Sequence, residues 1–141
     1  MLSVDEAFSA ILAAVETSAP EPTALADALG LTLADDIISD IDSPPFDKSL
    51  MDGFAVRAED VTGGKATLRV IDEVMAGSVP SKVVRQGEAT RIMTGAPIPE
   101  GADAVVRVEE TSFNAENGTV EISSPSTSVE SNLMRRGTSM R

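Results

Sequence analysis

The stretch SPPFDKSLMDGFAVR, Ser43–Arg57, leads from the N-terminal part of the chain into a region of short apolar runs. Its adjacent prolines restrict the backbone to extended geometry, and its Asp, Ser and Gly residues favour tight turns. Three large apolar residues, Leu50, Met51 and Phe54, lie among these turn formers. We therefore expect a rigid turn whose apolar side chains anchor it to the β-rich region that follows.

The same stretch has a second interpretation, in which a rigid loop presents a functional side chain. Asp52 or Lys48 would then project into a site that the turns hold in place. Gly53 would permit a positive φ within the turn. The residues alone leave both interpretations open.

The composition excludes several classes of chemistry. The chain of 141 residues has a net charge of −12, which disfavours binding to nucleic acid over a broad surface. It contains neither Cys nor His, so disulfides, thiolate metal sites and imidazole catalysis are excluded. No apolar run approaches the roughly 20 residues that span a bilayer, and the N-terminus is acidic where a signal peptide is basic. We expect a cytoplasmic protein with no nucleic-acid or membrane partner.

The N-terminal part predicts short helices. Ser3 and Glu6 have the spacing of a capping box, and apolar residues recur at helical spacing afterwards, which predicts a helix over about Val4–Glu16. Its apolar stripe should face a core or a partner chain. A second short helix is expected over Thr23–Leu29, with Gly30 as its left-handed cap.

The remainder predicts a β-rich unit. A first strand is expected within residues 31–41, and turn signals then separate several short runs. We expect an α+β protein that is mostly β, with a small β-barrel or sandwich at residues 47–125 inserted into a helical and linker part at 1–46 and 126–141. The later runs that predict strands are KATLRVIDEV, SKVVR, EATRIM, ADAVVRVEE and GTVEIS.

Two further loops carry candidate binding groups. In RIMTGAPIPEGADAVV, residues 91–106, Thr94 offers a hydroxyl and Gly95 an open backbone N–H, which suits a small anion-binding turn. In NLMRRGTS, Arg135 and Arg136 have the chemistry to grip a phosphate. The alternatives are a strand–turn–strand connection stiffened by prolines and a solvated basic end, and the residues alone favour neither loop as a site.

The three loops in this order resemble the N-terminal region of the MoeA family, the molybdopterin molybdenumtransferases. The segments PPFDKSLMDGFAVR, RIMTGAPIPEGADAVV and NLMRRG carry the resemblance, which covers essentially the whole chain. It implies an enzyme that inserts molybdenum, supplied as molybdate, into adenylylated molybdopterin with release of AMP and a need for Mg²⁺. It also implies a homodimer, and a molybdopterin-adenylyltransferase-type enzyme as a possible partner.

The resemblance implies roles for particular residues. The aspartate of the MDG motif and the threonine of the TGA motif are family residues tied to activity, and here they are Asp52 and Thr94. Asp52 would orient the cofactor or a metal-bound water, and Thr94 would donate a hydrogen bond. We assign no residue as a metal ligand. Cofactor binding is assigned to Ser49, Gly95, Arg135 and Arg136.

The sequence departs from the family pattern in three respects. The chain stops at Arg141, before the MogA-like catalytic and C-terminal domains of the family, so we expect the isolated chain to lack transferase activity. Thr138 and Ser139 follow the RRG glycine where the family has acidic residues. Lys48 replaces a more usual Asn.

Two rival functions remain at this stage. The chain would serve as a non-enzymatic dimerisation or scaffold module if only the assembly role were kept. It would otherwise be an acyl- or biotin-carrier domain, since such domains are small, acidic and β-rich with a modified lysine in a tight turn. The dipeptide Asp47-Lys48 fits that pattern, whereas the N-terminal helices do not.

Overall fold

A computed structural model describes residues 1–140 of the chain. The chain divides into two compact units, of which the first is Met1–Ile37 and the second begins at Ile38. The second unit contains all the strands of the described chain. Whether the predicted domain limits at residues 46, 47, 125 and 126 hold stays a prediction.

The first unit contains one α-helix, α1, at Val4–Ala14. The predicted capping box is confirmed: the Ser3 hydroxyl accepts from the Glu6 N–H at 3.3 Å, and the Glu6 carboxylate accepts from the Ser3 N–H at 2.7 Å. The predicted second helix is wrong, since only a single 3₁₀ turn forms at Leu25–Asp27. A seven-residue segment gains too few hydrogen bonds to offset the cost of helix nucleation.

The apolar residues of this first unit are exposed. Phe8 and Ile11 are 61% exposed and Leu12 is 59% exposed, and no residue of α1 is buried. The first unit therefore has no core of its own that covers the predicted apolar stripe, and the expectation that a partner chain covers it stays a prediction. The strand predicted within residues 31–41 is also wrong, because that segment forms only bends and irregular backbone.

The described part of the second unit contains eight strands. Six of them form one sheet in the order β5-β2-β4-β3-β7-β6, and β1 pairs with β8 in a separate two-stranded sheet. The β3–β4 pair is parallel, and the other paired strands are antiparallel. The strands are β1 (Lys48–Ser49), β2 (Gly53–Val56), β3 (Lys65–Val74), β4 (Glu88–Ile92), β5 (Ala104–Arg107), β6 (Thr111–Asn114), β7 (Thr119–Ser123) and β8 (Leu133–Met134).

The six-stranded sheet curls on itself as a half-barrel. Phe54 on β2 and Phe113 on β6 come within 6.0 Å between ring centroids, although three strands separate β2 from β6 in the sheet order. The largest core lies inside this curl and is built from aliphatic residues and one Phe. The predicted fold class, α+β and mostly β with a small barrel-like unit, is confirmed.

Strand β2 is the most buried strand, because a core lies on each of its faces. Phe54 and Val56 belong to the core inside the curl, whereas Ala55 belongs to a second cluster with Val74, Ile92, Ala96 and Val105. Gly53 begins this strand. A Cβ at Gly53 would lie 1.9 Å from the Val106 carbonyl oxygen, so the position requires glycine through close packing. Gly53 has no positive φ, and the expected conformational reason for this glycine is wrong.

The opening stretch differs from the expected turn. It contains β1 and β2, so six of its fifteen residues are strand. Phe54 is 1% exposed and anchors it as predicted, but Leu50 and Met51 are 45% and 44% exposed and do not. The exposure of Leu50 and Met51 could not be predicted, because the only indication of burial in a short segment is its apolar character. That character does not show which side of the turn the core covers.

The predicted strand SKVVR is wrong. Residues 75–87 form the crossover that joins the parallel strands β3 and β4, and such a connection needs about a dozen residues or more. Within it, only Val84 is buried; its N–H donates to the Glu100 carbonyl at 2.8 Å. The run KATLRVIDEV is confirmed as β3, with Leu68 buried and Val70 packed against the same core.

Candidate functional site

The three loops singled out in the sequence meet around strand β1. On one side of β1, Lys48 pairs with Met134 and Ser49 with Leu133 of β8. On the other side, Lys48 forms an isolated bridge with Pro97 of the TGAPIP segment. The structure therefore brings together the MDG, TGA and NLMRRG motifs, which the sequence places in separate parts of the chain.

Three backbone hydrogen bonds fix the TGA turn against β1. The Ser49 N–H donates to the Ala96 carbonyl at 3.0 Å, and the Gly95 N–H donates to the Ser49 carbonyl at 2.8 Å. The Ile98 N–H donates to the Asp47 carbonyl at 3.0 Å. The expectation that the Gly95 N–H is open to a ligand is therefore wrong. With φ at +82°, this glycine instead permits the turn itself.

The Asp52 carboxylate meets Thr94 at the end of this assembly. Oδ1 of Asp52 accepts from the Thr94 hydroxyl at 2.6 Å and from the Thr94 backbone N–H at 2.7 Å. The hydroxyl bond, followed by the amide bond, lowers the pKa of the Asp52 carboxyl. Both residues are exposed, so the pair presents a negatively charged oxygen, Oδ2, at the surface at neutral pH.

Thr94 donates both of its hydrogens to Asp52. The expected donation from its hydroxyl to a ligand therefore competes with the bond to Asp52, and only the oxygen lone pairs of the hydroxyl remain available. Thr94 acts on Asp52 by holding the carboxylate in one orientation and in the ionised form. The two residues assigned a catalytic role in the sequence thus form a single unit in the structure.

Ser49 is fully buried. Its hydroxyl donates to the Met51 carbonyl at 2.5 Å and accepts from the Met51 N–H at 3.2 Å, so the side chain closes the turn that leads to Asp52. A direct cofactor contact by Ser49 stays a prediction, and in this structure the hydroxyl has a structural partner.

Both arginines of the RRG segment are engaged in ion pairs. Arg135 donates to Asp47 Oδ2 at 2.5 Å and to Glu130 Oε1 at 2.9 Å. Arg136 pairs with Asp42 through its side chain, and its backbone N–H donates to Asp47 Oδ1 at 2.8 Å. A phosphate would therefore compete with these carboxylates or use the guanidinium N–H donors that they leave. Cofactor binding by the two arginines stays a prediction.

Sequence reasoning missed Asp47 as a long-range partner. Aspartates in turns usually accept hydrogen bonds from nearby backbone amides. The Asp47 carboxylate instead accepts two hydrogen bonds from residues 88 and 89 positions away. Partial burial raises the pKa of the Asp47 carboxyl, and the bonds from Arg136 and Arg135 outweigh this and lower it. Nothing in the sequence around Asp47 or around Arg135 and Arg136 indicates that these residues contact each other.

Lys48 lies in a strand with a neighbour on each side. The lysine of a carrier domain would project from the tip of a tight turn, so this placement argues against the carrier interpretation. Lys48 is half-buried within β1.

The described carboxylates do not form a cluster that would hold Mg²⁺ without ligands from a substrate or from another part of the protein. Among residues 1–140, no group of three or more carboxylates lies close enough together to hold a metal ion. A groove of about 610 Å³ lies away from Asp52 and Thr94; it is lined by Ser39, Asp40, Ile41, Asp42, Ser43, Pro45, Arg136 and Met140. No helix among the described residues is both long and apolar enough to cross a bilayer.

Comparison with known proteins agrees with this architecture. Two crystal structures of molybdopterin biosynthesis MoeA protein from Pyrococcus horikoshii superpose with TM-scores of 0.70 and 0.67 at 34% and 39% identity. They cover 86% and 82% of this chain, which spans 32% and 30% of theirs. The fold of this chain is therefore similar to about a third of each MoeA structure.

Sequence comparison gives the family. The profile of the MoeA N-terminal region (domain I and II) matches residues 2–141. A molybdopterin molybdenumtransferase of Staphylococcus aureus is 46% identical over 114 residues, and one of Staphylococcus epidermidis is 50% identical over 91 residues. These alignments cover 78% and 62% of this chain but only 27% and 22% of the relatives. The chain belongs to the MoeA family, and it corresponds to the N-terminal region of that family.

Proposed function

We propose that this chain is the N-terminal part of a molybdopterin molybdenumtransferase, which inserts molybdenum from molybdate into adenylylated molybdopterin in molybdenum cofactor biosynthesis. The observation that carries the proposal is the Asp52–Thr94 pair, which the three family motifs assemble in a chain of the MoeA family. The chain spans about a quarter of its curated relatives, so the remaining part of such a protein would supply the catalytic domain.

In this proposal Asp52 is the group that meets the substrate. Its ionised carboxylate, fixed by Thr94, offers Oδ2 as an acceptor for N–H or O–H donors of the pterin or for a bound water. A charge held in place before the substrate arrives does not have to reorganise during the reaction, which is the main source of electrostatic catalysis. Thr94 keeps the carboxylate in the required orientation.

The proposed function also requires a second subunit, a partner enzyme and a metal ion. A homodimer would place the Asp52–Thr94 pair of one subunit opposite the catalytic domain of the other, and a molybdopterin-adenylyltransferase-type enzyme would deliver the substrate. Any Mg²⁺ would need ligands beyond the described carboxylates, such as substrate phosphates or residues of the catalytic domain, because no three of these carboxylates cluster together. We place the protein in the cytoplasm.

A chimera tests the proposal. The chain replaces the matching N-terminal region of the Staphylococcus aureus molybdopterin molybdenumtransferase, with which it is 46% identical over 114 residues. Molybdenum insertion is then measured as formation of active molybdenum cofactor from adenylylated molybdopterin and molybdate. We expect the chimera to be active and Asp52→Ala to lower its kcat by about 100-fold, as loss of a single preorganised group does.

Asp72 provides a matched control. Its Oδ2 accepts from the Ser81 hydroxyl at 2.9 Å and from the Ser81 N–H at 3.3 Å, which repeats the bonding pattern of the Asp52–Thr94 pair elsewhere on the surface. Asp72→Ala should leave kcat within about twofold, because surface substitutions away from the site have small effects. Unchanged turnover in Asp52→Ala would contradict the proposal.

A second candidate, a non-enzymatic assembly module, is favoured by one observation. The apolar residues of α1 are exposed in the first unit, as expected for a surface that another chain covers. A natural product that ends near residue 141, associates with itself and does not support molybdenum insertion in the chimera would favour this function. Intact mass of the native protein and light scattering distinguish the two candidates.

A further inference from the structure

The Asp47 carboxylate connects two of the three motifs. Its Oδ2 accepts from the Arg135 guanidinium at 2.5 Å, and its Oδ1 accepts from the Arg136 backbone N–H at 2.8 Å. Glu130 holds the same guanidinium from its other side, at 2.9 Å. One carboxylate thus fixes both a side chain and the backbone of the RRG segment, and we call this set of contacts the Asp47 clasp.

The Asp47 clasp lies directly before strand β1. The main chain of Asp47 bonds to Ile98, and Ser49 exchanges two backbone bonds with Gly95 and Ala96. The register of β1 therefore determines where the TGA turn sits, and the TGA turn carries Thr94. Ser49 also shapes the turn before Asp52 through its two bonds to Met51. A shift of β1 would move both members of the Asp52–Thr94 pair.

We propose that Asp47 is a positioning residue, which holds β1 between the RRG segment and the TGA turn and thereby keeps Asp52 opposite Thr94. The importance of this residue for turnover rests on the proposed function. The two arginines then serve the site through β1 and need no contact with substrate. This assignment differs from the phosphate-binding role that the sequence suggests for Arg135 and Arg136.

The experiment follows the Asp52–Thr94 pair by NMR in the 141-residue chain. The pH dependence of the Thr94 amide shift reports ionisation of Asp52, since that amide donates to its carboxylate. Asp47→Ala should raise the pKa of Asp52 towards that of a free aspartate, and it should speed hydrogen exchange at the Gly95 amide by about tenfold, as local opening does. Asp47→Asn keeps an acceptor for the Arg136 N–H and should have a smaller effect.

Glu88 provides the matched control. Its Oε1 accepts from the Arg69 guanidinium at 2.5 Å and its Oε2 from the Arg85 N–H at 3.1 Å, so it bridges an arginine side chain and a backbone amide as Asp47 does. Glu88→Ala should change stability but leave the Thr94 titration where it was. If Asp47 contributes to stability alone, Asp47→Ala should likewise change stability and leave the Thr94 titration unchanged. That result would overturn the proposal.

Two further measurements keep the test decisive. If Asp47→Ala does not fold, Arg135→Gln removes the ion pair and leaves the bond from the Arg136 N–H; an unchanged Thr94 titration in that variant overturns the proposal. In the chimera, Asp47→Ala should lower kcat more than it raises KM, and an unchanged kcat beside an inactive Asp52→Ala overturns the role in turnover. If Asp52→Ala is active in the chimera, the proposed function is wrong. The Thr94 titration in the 141-residue chain then still tests whether Asp47 holds Asp52 opposite Thr94.

Discussion

The Asp52 carboxylate accepts both hydrogens that Thr94 can donate, across 42 residues of sequence. A single residue therefore sets the orientation of the carboxylate and favours its charged form. The pair is exposed, so its role does not depend on burial in a core. It depends on the backbone of the two turns, and this makes the pair sensitive to substitutions that leave both side chains in place.

Thr94→Val should raise the pKa of Asp52. Valine keeps the shape of threonine and the backbone N–H but removes the hydroxyl bond, which is the largest cause of the lowered pKa. Carboxyl ¹³C shifts measured against pH provide the value for each variant. Thr94→Ser should restore the titration of the parent chain, because serine supplies the same donor. Identical titrations for the valine and serine variants would contradict this assignment.

Gly53→Ala should destabilise the second unit by about 3 kcal/mol or more, because overpacking against backbone cannot be relieved by a rotamer change. The added Cβ would lie 1.9 Å from the Val106 carbonyl oxygen. Urea unfolding measures the loss. Gly63→Ala is the control, since no atom lies within 4 Å of its Cβ and its φ is not positive. It should be neutral or slightly stabilising, and equal losses in the two variants would refute the steric explanation.

Glu110 should contribute to the pH dependence of stability. The Ser124 hydroxyl, followed by the Arg107 guanidinium, lowers the pKa of the Glu110 carboxyl in the folded chain. Its contribution is therefore present above the pKa of an unfolded glutamate and is lost as pH falls through the folded-state pKa. Thermal unfolding should show that Glu110→Gln lowers the Tm at neutral pH and that the difference from the parent chain narrows on acidification.

Glu109→Gln is the control for that prediction. The Glu109 carboxylate accepts no hydrogen bond from a described residue, so its variant should keep a Tm close to that of the parent chain. A difference for Glu110→Gln that is constant with pH would show that the linkage assigned to this carboxyl is wrong.

The exposed face of α1 should drive self-association if the homodimer proposal holds. Phe8→Glu and Leu12→Glu place charges on residues that are 61% and 59% exposed, so they should reduce association without unfolding the β unit. Light scattering over a range of protein concentrations measures the mass. Ser9→Glu adds the same charge outside the apolar stripe and should leave the mass unchanged. A monomeric parent chain would contradict the prediction.

Sequence patterns predicted the elements that depend on local chemistry. The capping box at Ser3 and Glu6 forms, and the alternation in KATLRVIDEV produces β3 with Leu68 in the core. The predicted second helix and the strand in residues 31–41 fail because neither segment gains enough tertiary contacts to stabilise a short element. The SKVVR strand fails for a topological reason, since this run lies in the crossover between two parallel strands.

The site was predictable only in part. Asp52 and Thr94 were named from the resemblance, but nothing in the sequence showed that they bond to each other or that the Gly95 N–H is occupied by Ser49. Asp47 was missed because its partners are fixed by the pairing of β1 with β8. Contacts of that kind follow from the assembled backbone, and a single sequence contains no local signal for them.

The pairing of β1 with β8 also constrains when the site can form. Asp47 and Arg135 are 88 residues apart, so their contact closes nearly the whole length of the second unit. Closing a long loop lowers the chain entropy before the contact contributes any favourable free energy. Non-local strand pairs are slow to form for this reason. During synthesis, β1 leaves the ribosome long before β8 does. The curled sheet can therefore assemble while the Asp47 clasp is still open, and the chain acquires a fully ordered Asp52–Thr94 pair only after the RRG segment has been synthesised.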